Sequence, residues 1–97
     1  MQTKSYQQKS SAFNRVRLPE PDKYFEGQGL VLIGKGNWRS AKCPFHDDES
    51  PSLRVHVGGG FKCMSCGAKG GDVLAFHRLR TGLGFVDAAK DLSAWGR

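Results

Sequence analysis

The 97-residue chain lacks features that define several classes of protein. No apolar run approaches the roughly 20 residues of a transmembrane helix, and residues 1–10 are too polar for a signal peptide. Its three cysteines leave one unpaired in any disulfide scheme. With 38% hydrophobic residues, the chain can form one small domain at most. These absences predict a soluble, cytoplasmic protein whose fold needs support beyond its hydrophobic core.

Acidic residues are missing from three long segments of a chain whose formal net charge is +6. The segments are 1–18, 27–46 and 50–71, and each contains at least three basic residues. Such segregation favours a polyanionic partner, nucleic acid in particular. On charge alone, a basic surface that serves only solubility stays open as the alternative.

The three cysteines and one histidine form two close pairs, Cys43 with His46 and Cys63 with Cys66. Two residues lie within each pair and sixteen lie between the pairs, close to the roughly 15 to 20 residues typical of two-knuckle zinc sites. Each short gap lets a pair bend into a knuckle that directs both ligands at one centre. We therefore predict one Zn²⁺ ion. Four protein ligands leave no position for an activated water, so the zinc is expected to be structural.

Strands are expected next to both ligand pairs. Segments 30–33 and 38–43 would form a hairpin that carries the first pair. Apolar and polar residues alternate over 53–57, as in a strand with one buried face. A glycine turn then leads to a strand at 61–63 that carries the second pair. Strand parity places three basic residues on the outward face: Arg54, His56 and Lys62.

Three short helices are expected around these strands. The first spans 20–28 and buries its Tyr-Phe pair. The second is capped by Asp72 and ends at Gly82. The third begins at Phe85, where apolar residues recur at helical spacing.

Longer motifs surround the ligand pairs. Residues 43–46 read Cys-Pro-Phe-His, 50–53 read Ser-Pro-Ser-Leu, and 63–72 read Cys-Met-Ser-Cys-Gly-Ala-Lys-Gly-Gly-Asp. Together with Gly-Leu-Gly-Phe-Val-Asp-Ala-Ala at 82–89, they resemble the N-terminal zinc-binding domain of bacterial DNA primases. The resemblance implies a small α+β zinc ribbon, with an antiparallel β-sheet, two knuckles and flanking short helices.

Two parts of the chain are distinguished by composition and resemblance. Residues 1–18 are rich in Gln, Ser, Lys and Arg and are expected to form a flexible basic arm. Residues 19–97 are assigned to the primase-like zinc-ribbon domain.

The resemblance also implies a function, because the sheet of that family binds single-stranded template. We expect a single-stranded DNA-binding module of a replication or priming system that is not an enzyme by itself. Its partner would be a separate primase, polymerase or helicase, and its source a plasmid, a phage or another mobile element. Alternatively, the chain is a fragment of a larger primase. Two other functions stay open: an adaptor that docks a polymerase or helicase, and a duplex-binding regulator.

The expected DNA contacts are basic residues near the zinc site and one aromatic residue. Trp38 is a candidate stacking platform, although a core position stays open for it. His56 contacts phosphate or is an ordinary exposed histidine, and His77 is structural or on the surface. The acidic run 47–49 is interpreted as a solvated turn. The basic candidates are Arg39, Lys42, Arg54, Lys62 and Lys69.

Overall fold

The computed structural model describes residues 13–47 and 49–96. No helix in these ranges is long and apolar enough to span a membrane. A 3-10 helix at Arg15–Arg17 precedes three α-helices and a four-stranded antiparallel sheet, which confirms the small α+β class. The helices are α1 (Pro21–Gly27), α2 (Val73–Thr81) and α3 (Phe85–Asp91). The strands are β1 (Trp38–Ala41), β2 (Leu53–His56), β3 (Phe61–Cys63) and β4 (Lys69–Gly70).

The sheet has the order β1-β2-β3-β4, and one of its faces is covered by helices. Cross-strand partners share a face, because successive side chains of a strand alternate between the two sides. Ala41, Leu53 and Cys63 are such partners, and all three are buried. Val55 and Phe61 form the next buried pair, opposite Gly70. The alternation predicted for β2 and β3 is therefore confirmed.

Phe76 of α2 lies at the centre of the core and is fully buried. Its ring centroid lies 5.0 Å from that of Phe25 and 5.8 Å from that of Tyr24, both in α1. It also lies 5.1 Å from Phe61 of β3 and 5.1 Å from Phe45, which stands between the first two predicted ligands. One aromatic side chain thus connects α1, the sheet and the first ligand pair.

His77 is buried and joins all three helices. The Tyr24 hydroxyl donates to His77 Nδ1 at 2.7 Å, and His77 Nε2 donates to an Asp91 carboxylate oxygen at 2.6 Å. Burial raises the pKa of Tyr24 to about 12, so its hydroxyl stays protonated and can donate at neutral pH. His77 is therefore structural, as one of the two sequence interpretations held.

Helix α2 has the two caps that the sequence predicts. The Asp72 carboxylate accepts the Ala75 N–H at 2.9 Å. Gly82 adopts a left-handed φ of 80°, and its N–H donates to the Arg78 carbonyl at 2.8 Å.

The hairpin predicted before the first ligand pair is wrong in its first strand. Within 30–33, Ile33 alone forms a bridge, exchanging hydrogen bonds of 2.7 and 2.9 Å with Ser40. Leu30 turns into the core, whereas Val31 and Ile33 are exposed. Because the single bridge with Ser40 is the pairing found here, residues 30–33 do not form a regular strand beside β1. Strand β2 also ends one residue before Val57, which is exposed at the start of the glycine turn.

The last residues of the expected arm contact the domain. Phe13 forms a bridge with Trp95, and the Asn14 N–H donates to the Ala94 carbonyl at 2.8 Å. Arg15 pairs with Asp72 at 2.9 Å. Residues 1–12 lie outside the described residues, and for them the basic arm stays a prediction.

We predict that Gly70→Ala destabilises the domain by about 1–3 kcal/mol, because a Cβ there overpacks the core. The added atom would lie 2.6 Å from the Ala75 Cβ and 2.7 Å from the Phe61 ring. Gly71→Ala is the matched control, since a Cβ there has no atom within 4 Å. Urea unfolding of zinc-loaded protein measures both. Equal stabilities for the two variants would contradict the packing described for β4.

Candidate metal centre and adjoining sheet surface

The four predicted ligands converge because strand ends and tight turns position them. Cys43 follows β1, and Cys63 is the last residue of β3. After Cys63 the chain turns back through hydrogen bonds from the Gly67 N–H to the Cys63 carbonyl, 3.1 Å, and from the Cys63 N–H to the Ala68 carbonyl, 2.7 Å. The ligand atoms of Cys43, His46, Cys63 and Cys66 all lie within 4.8 Å of one another.

The spacing of these ligand atoms fits tetrahedral zinc. Zinc bonds of about 2.3 Å to sulfur and about 2.0 Å to nitrogen place two sulfurs about 3.8 Å apart, and a sulfur and a nitrogen about 3.5 Å apart. The Sγ atoms of Cys43 and Cys66 are 3.9 Å apart. His46 Nε2 lies 3.3 Å from Cys63 Sγ. The donor set and its geometry therefore match a closed, structural zinc site.

Hydrogen bonds around Cys63 favour its thiolate form. Burial opposes ionisation, but backbone N–H groups of Cys66 and Ser65, each 3.4 Å from Sγ, act with His46 and Ser52 to lower the pKa of Cys63 to about 6. Burial raises the pKa of Cys43, a cost that coordination to a divalent cation offsets. The Cys63 thiol is therefore suited to bind a metal ion as a thiolate.

His46 has the orientation that a zinc ligand needs. Its Nδ1–H donates to the Asp47 carbonyl at 3.1 Å, which leaves Nε2 directed at the cysteine sulfurs. This outer hydrogen bond sets the tautomer and the ring orientation, as partners of metal-bound histidines commonly do.

The outward face of the sheet, opposite the helices, carries a row of cations. The register pairs Ser40 with Arg54, Arg54 with Lys62, and Lys62 with Lys69, so one row crosses all four strands. Neighbouring strands lie about 4.8 Å apart, which puts three positive side chains side by side. None of the three forms an ion pair with a residue that the structure describes. We call Arg54, Lys62 and Lys69 the cationic row.

An apolar recess lies beside the cationic row. Trp38 is 46% exposed and Met64 is 66% exposed, and with Arg54 and Lys62 they line a recess of about 290 Å³. Trp38 is therefore on the outward face and not in the core, the other position that the sequence had left open for it. Met64 was not among the site residues predicted from the sequence, although it follows Lys62 by two residues and so continues the parity of that face.

Arg39, one of the DNA contacts expected from the sequence, does not share the outward face with Arg54 and Lys62. Its cross-strand partner is the buried Val55, so it belongs to the opposite face. The Arg39 guanidinium pairs with Asp22 of α1 at 2.8 Å and donates to the Gly36 carbonyl at 3.0 Å. The ion pair with Asp22 links β1 to α1.

Two of the basic candidates, Lys42 and Lys69, border recesses at opposite edges of the sheet. Lys42 is exposed after β1 and lines a recess with Leu30 and Val31. Lys69 is exposed in β4 and also borders a recess with residues of α2.

We predict that Cys63→Ser removes both zinc and the fold. Structural zinc contributes an apparent 10–16 kcal/mol, about as much as the whole net stability of a typical domain. Metal analysis should return one zinc per chain for the parent and none for the variant, and circular dichroism should show unfolding.

His77→Ala is the control for a histidine outside the site. It should keep one zinc per chain but lose about 1–3 kcal/mol of stability, because Tyr24 and Asp91 lose their buried partner. A well-folded, metal-free Cys63→Ser protein would contradict the assignment, as would loss of zinc from His77→Ala alone.

Comparison with known proteins agrees with this geometry. The DNA primase of Lactococcus lactis is 42% identical over 67 residues, which cover 68% of this chain and 10% of the primase. The Gene 58 protein of Mycobacterium phage D29 is 34% identical over 73 residues, or 74% of this chain and 46% of that protein. The chain thus spans about a tenth to a half of these relatives' length.

A solved structure and a family profile place the fold. The zinc-binding and RNA polymerase domains of Aquifex aeolicus primase match with a TM-score of 0.62 and 31% identity, over 75% of this chain and 18% of that one. The profile of the CHC2 zinc finger matches residues 27–95. The chain has one structural zinc site, formed by Cys43, His46, Cys63 and Cys66, and it belongs to the CHC2 zinc-finger family of DNA primases.

Proposed function

We propose that this domain binds single-stranded DNA on the outward face of its sheet, as the template-binding part of a priming system. The observation that carries the proposal is the cationic row, formed by Arg54, Lys62 and Lys69 in register on adjacent strands. Like charges directly opposite one another destabilise a sheet, so the row does not contribute to folding. A phosphate backbone laid across the strands would offset this repulsion and release its counterions.

The apolar recess supports a single strand over a duplex. A base stacked on an aromatic side chain contributes about 1–3 kcal/mol, and only an unpaired base exposes its face for this. Trp38 and Met64 offer apolar surface directly beside Arg54 and Lys62, whose charges would bind the adjoining phosphates.

Lys42 and the basic residues of 1–18 would extend the contact beyond the row. Lys42 is exposed at the edge of β1. Arg39 is left out of the proposal, because its guanidinium is held by Asp22.

The proposed module is not an enzyme by itself and acts with a separate primase, polymerase or helicase. Its four protein ligands fill the zinc coordination sphere. In the described part of the chain, these four residues are also the one cluster of three or more potential metal ligands. A two-metal polymerase site needs further converging carboxylates.

An adaptor function is the second candidate, and exposed apolar residues before β1 favour it. Val31 and Ile33 are exposed and line a recess with Leu30 and Lys42. Under this function the recess docks a protein, and the cationic row is incidental to binding.

We predict that replacing Arg54 and Lys62 together with alanine weakens binding to a single-stranded oligonucleotide. Each lost phosphate contact should reduce the log-log salt slope by about 0.7, so the double variant should lose about 1.4. Fluorescence anisotropy at several salt concentrations measures both quantities, while metal analysis checks that zinc remains bound.

The matched control removes two charges elsewhere. Lys23 and Lys90 are exposed on α1 and α3, and their double alanine variant should bind with nearly the parent slope. If both double variants lose the same affinity and the same salt slope, the loss reflects net charge and not the position of the charges. If the Arg54 and Lys62 variant binds like the parent, the sheet is not the DNA surface and the adaptor function is favoured.

We also predict that the purified chain makes no primers from template and nucleotides, because it lacks a second set of metal ligands in its described part. Incorporation of labelled nucleotides is the assay, and adding a primase that lacks its own zinc domain is the positive arm. Synthesis by the isolated chain, with contaminating polymerase excluded, would overturn the non-enzyme proposal.

A further inference from the structure

His56 ends β2 directly opposite Trp38, so both side chains lie on the outward face. Their ring centroids are 4.9 Å apart at an interplanar angle of 67°, an edge-to-face contact. Such contacts between aromatic rings add about 0.5–1.5 kcal/mol and fix the orientation of both rings. The position of the Trp38 indole therefore depends on the imidazole of His56.

The glycine turn that follows β2 holds the imidazole ring of His56 in place. The Gly58 N–H donates to His56 Nδ1 at 2.9 Å. A ring nitrogen that accepts a hydrogen bond carries no proton, so in the neutral ring the proton is on Nε2. Gly58 approaches closely because it lacks a side chain: a Cβ there would lie 3.1 Å from Nδ1.

The remaining nitrogen is left as a donor. His56 is half-buried, and its Nε2 has no hydrogen-bond partner among the residues described. The charged side chain of Arg54 lies on the same strand and face, two residues away. An N–H donor with no protein partner, next to an aromatic platform and a cation, is arranged for an acceptor supplied from outside.

We propose that His56 is a positioning and hydrogen-bonding residue of the single-stranded DNA site. Its ring edge holds the Trp38 indole, and its Nε2–H donates to an acceptor oxygen of the nucleotide stacked on that indole. The proposal rests on the proposed function of the sheet and adds a contact that is neutral. Loss of a neutral contact lowers affinity but releases no counterions, so it leaves the salt slope unchanged.

The experiment compares His56→Ala, His56→Gln and Gly58→Ala in a Trp95→Phe background, where Trp38 is the remaining tryptophan. Anisotropy with a single-stranded oligonucleotide gives affinity and salt slope, and tryptophan emission reports on the Trp38 environment. Zinc content and circular dichroism confirm the fold of each variant. Gly71→Ala, with no atom near its added Cβ, is the glycine control.

We predict that His56→Ala binds the oligonucleotide about three- to tenfold more weakly, which is the effect of losing one hydrogen bond. Its salt slope should equal that of the parent, and its Trp38 emission should be shifted. His56→Gln retains a donor and should recover part of the affinity, but not the emission of the parent. Gly58→Ala should displace the imidazole and weaken binding, whereas Gly71→Ala should not.

Two results would overturn the role of His56. One is parent-like affinity for His56→Ala. The other is a slope reduced by about 0.7, which would identify His56 as a cationic phosphate contact instead. Failure of the underlying DNA-binding proposal is distinguishable, because then the Arg54 and Lys62 double variant would bind like the parent as well.

Discussion

Coordination of one zinc ion by two distant ligand pairs is the constraint on which this small structure depends. A small domain buries a smaller fraction of its surface than a large one does, and structural zinc contributes an apparent 10–16 kcal/mol, about as much as the net stability of a typical domain. The metal also organises the core, because Phe45, between Cys43 and His46, packs on the central Phe76. Phe76 also packs on Phe61 of β3, so the first knuckle, α2 and the sheet meet at one aromatic side chain.

The hydrophobic core and the helices pack against one face of the sheet, and the outward face takes no part in that packing. On the covered face, Leu53, Val55 and Phe61 are buried, and Gly70 is required because Phe61 and α2 fill the space of any side chain. On the outward face, the same strands are free to carry charge and exposed aromatic surface. Substitutions on the outward face therefore need not disturb the buried core or the zinc site.

The zinc ligands, β2, β3 and the caps of α2 were predictable, because each depends on local chemistry or on an alternation visible in the sequence. The orientation of Arg39 was not, since strand parity needs a known reference and the buried residue opposite Arg39 lies on another strand. A two-residue strand such as β4 is too short to show a pattern. Met64 lines the recess, and the Gly58 N–H donates to His56. Both features depend on how separate segments fold together, which the sequence order does not reveal.

The most direct test of whether the outward face binds single-stranded DNA is an NMR titration of the isotopically labelled, zinc-loaded chain with a single-stranded oligonucleotide. If the strand binds there, the largest chemical-shift changes should occur at the Trp38 indole N–H and at the amides of Arg54, His56 and Lys62. These residues lie on one face of the sheet. Changes confined to α2 and α3, with the sheet residues unmoved, would contradict the claim that the outward face of the zinc-held sheet binds the strand.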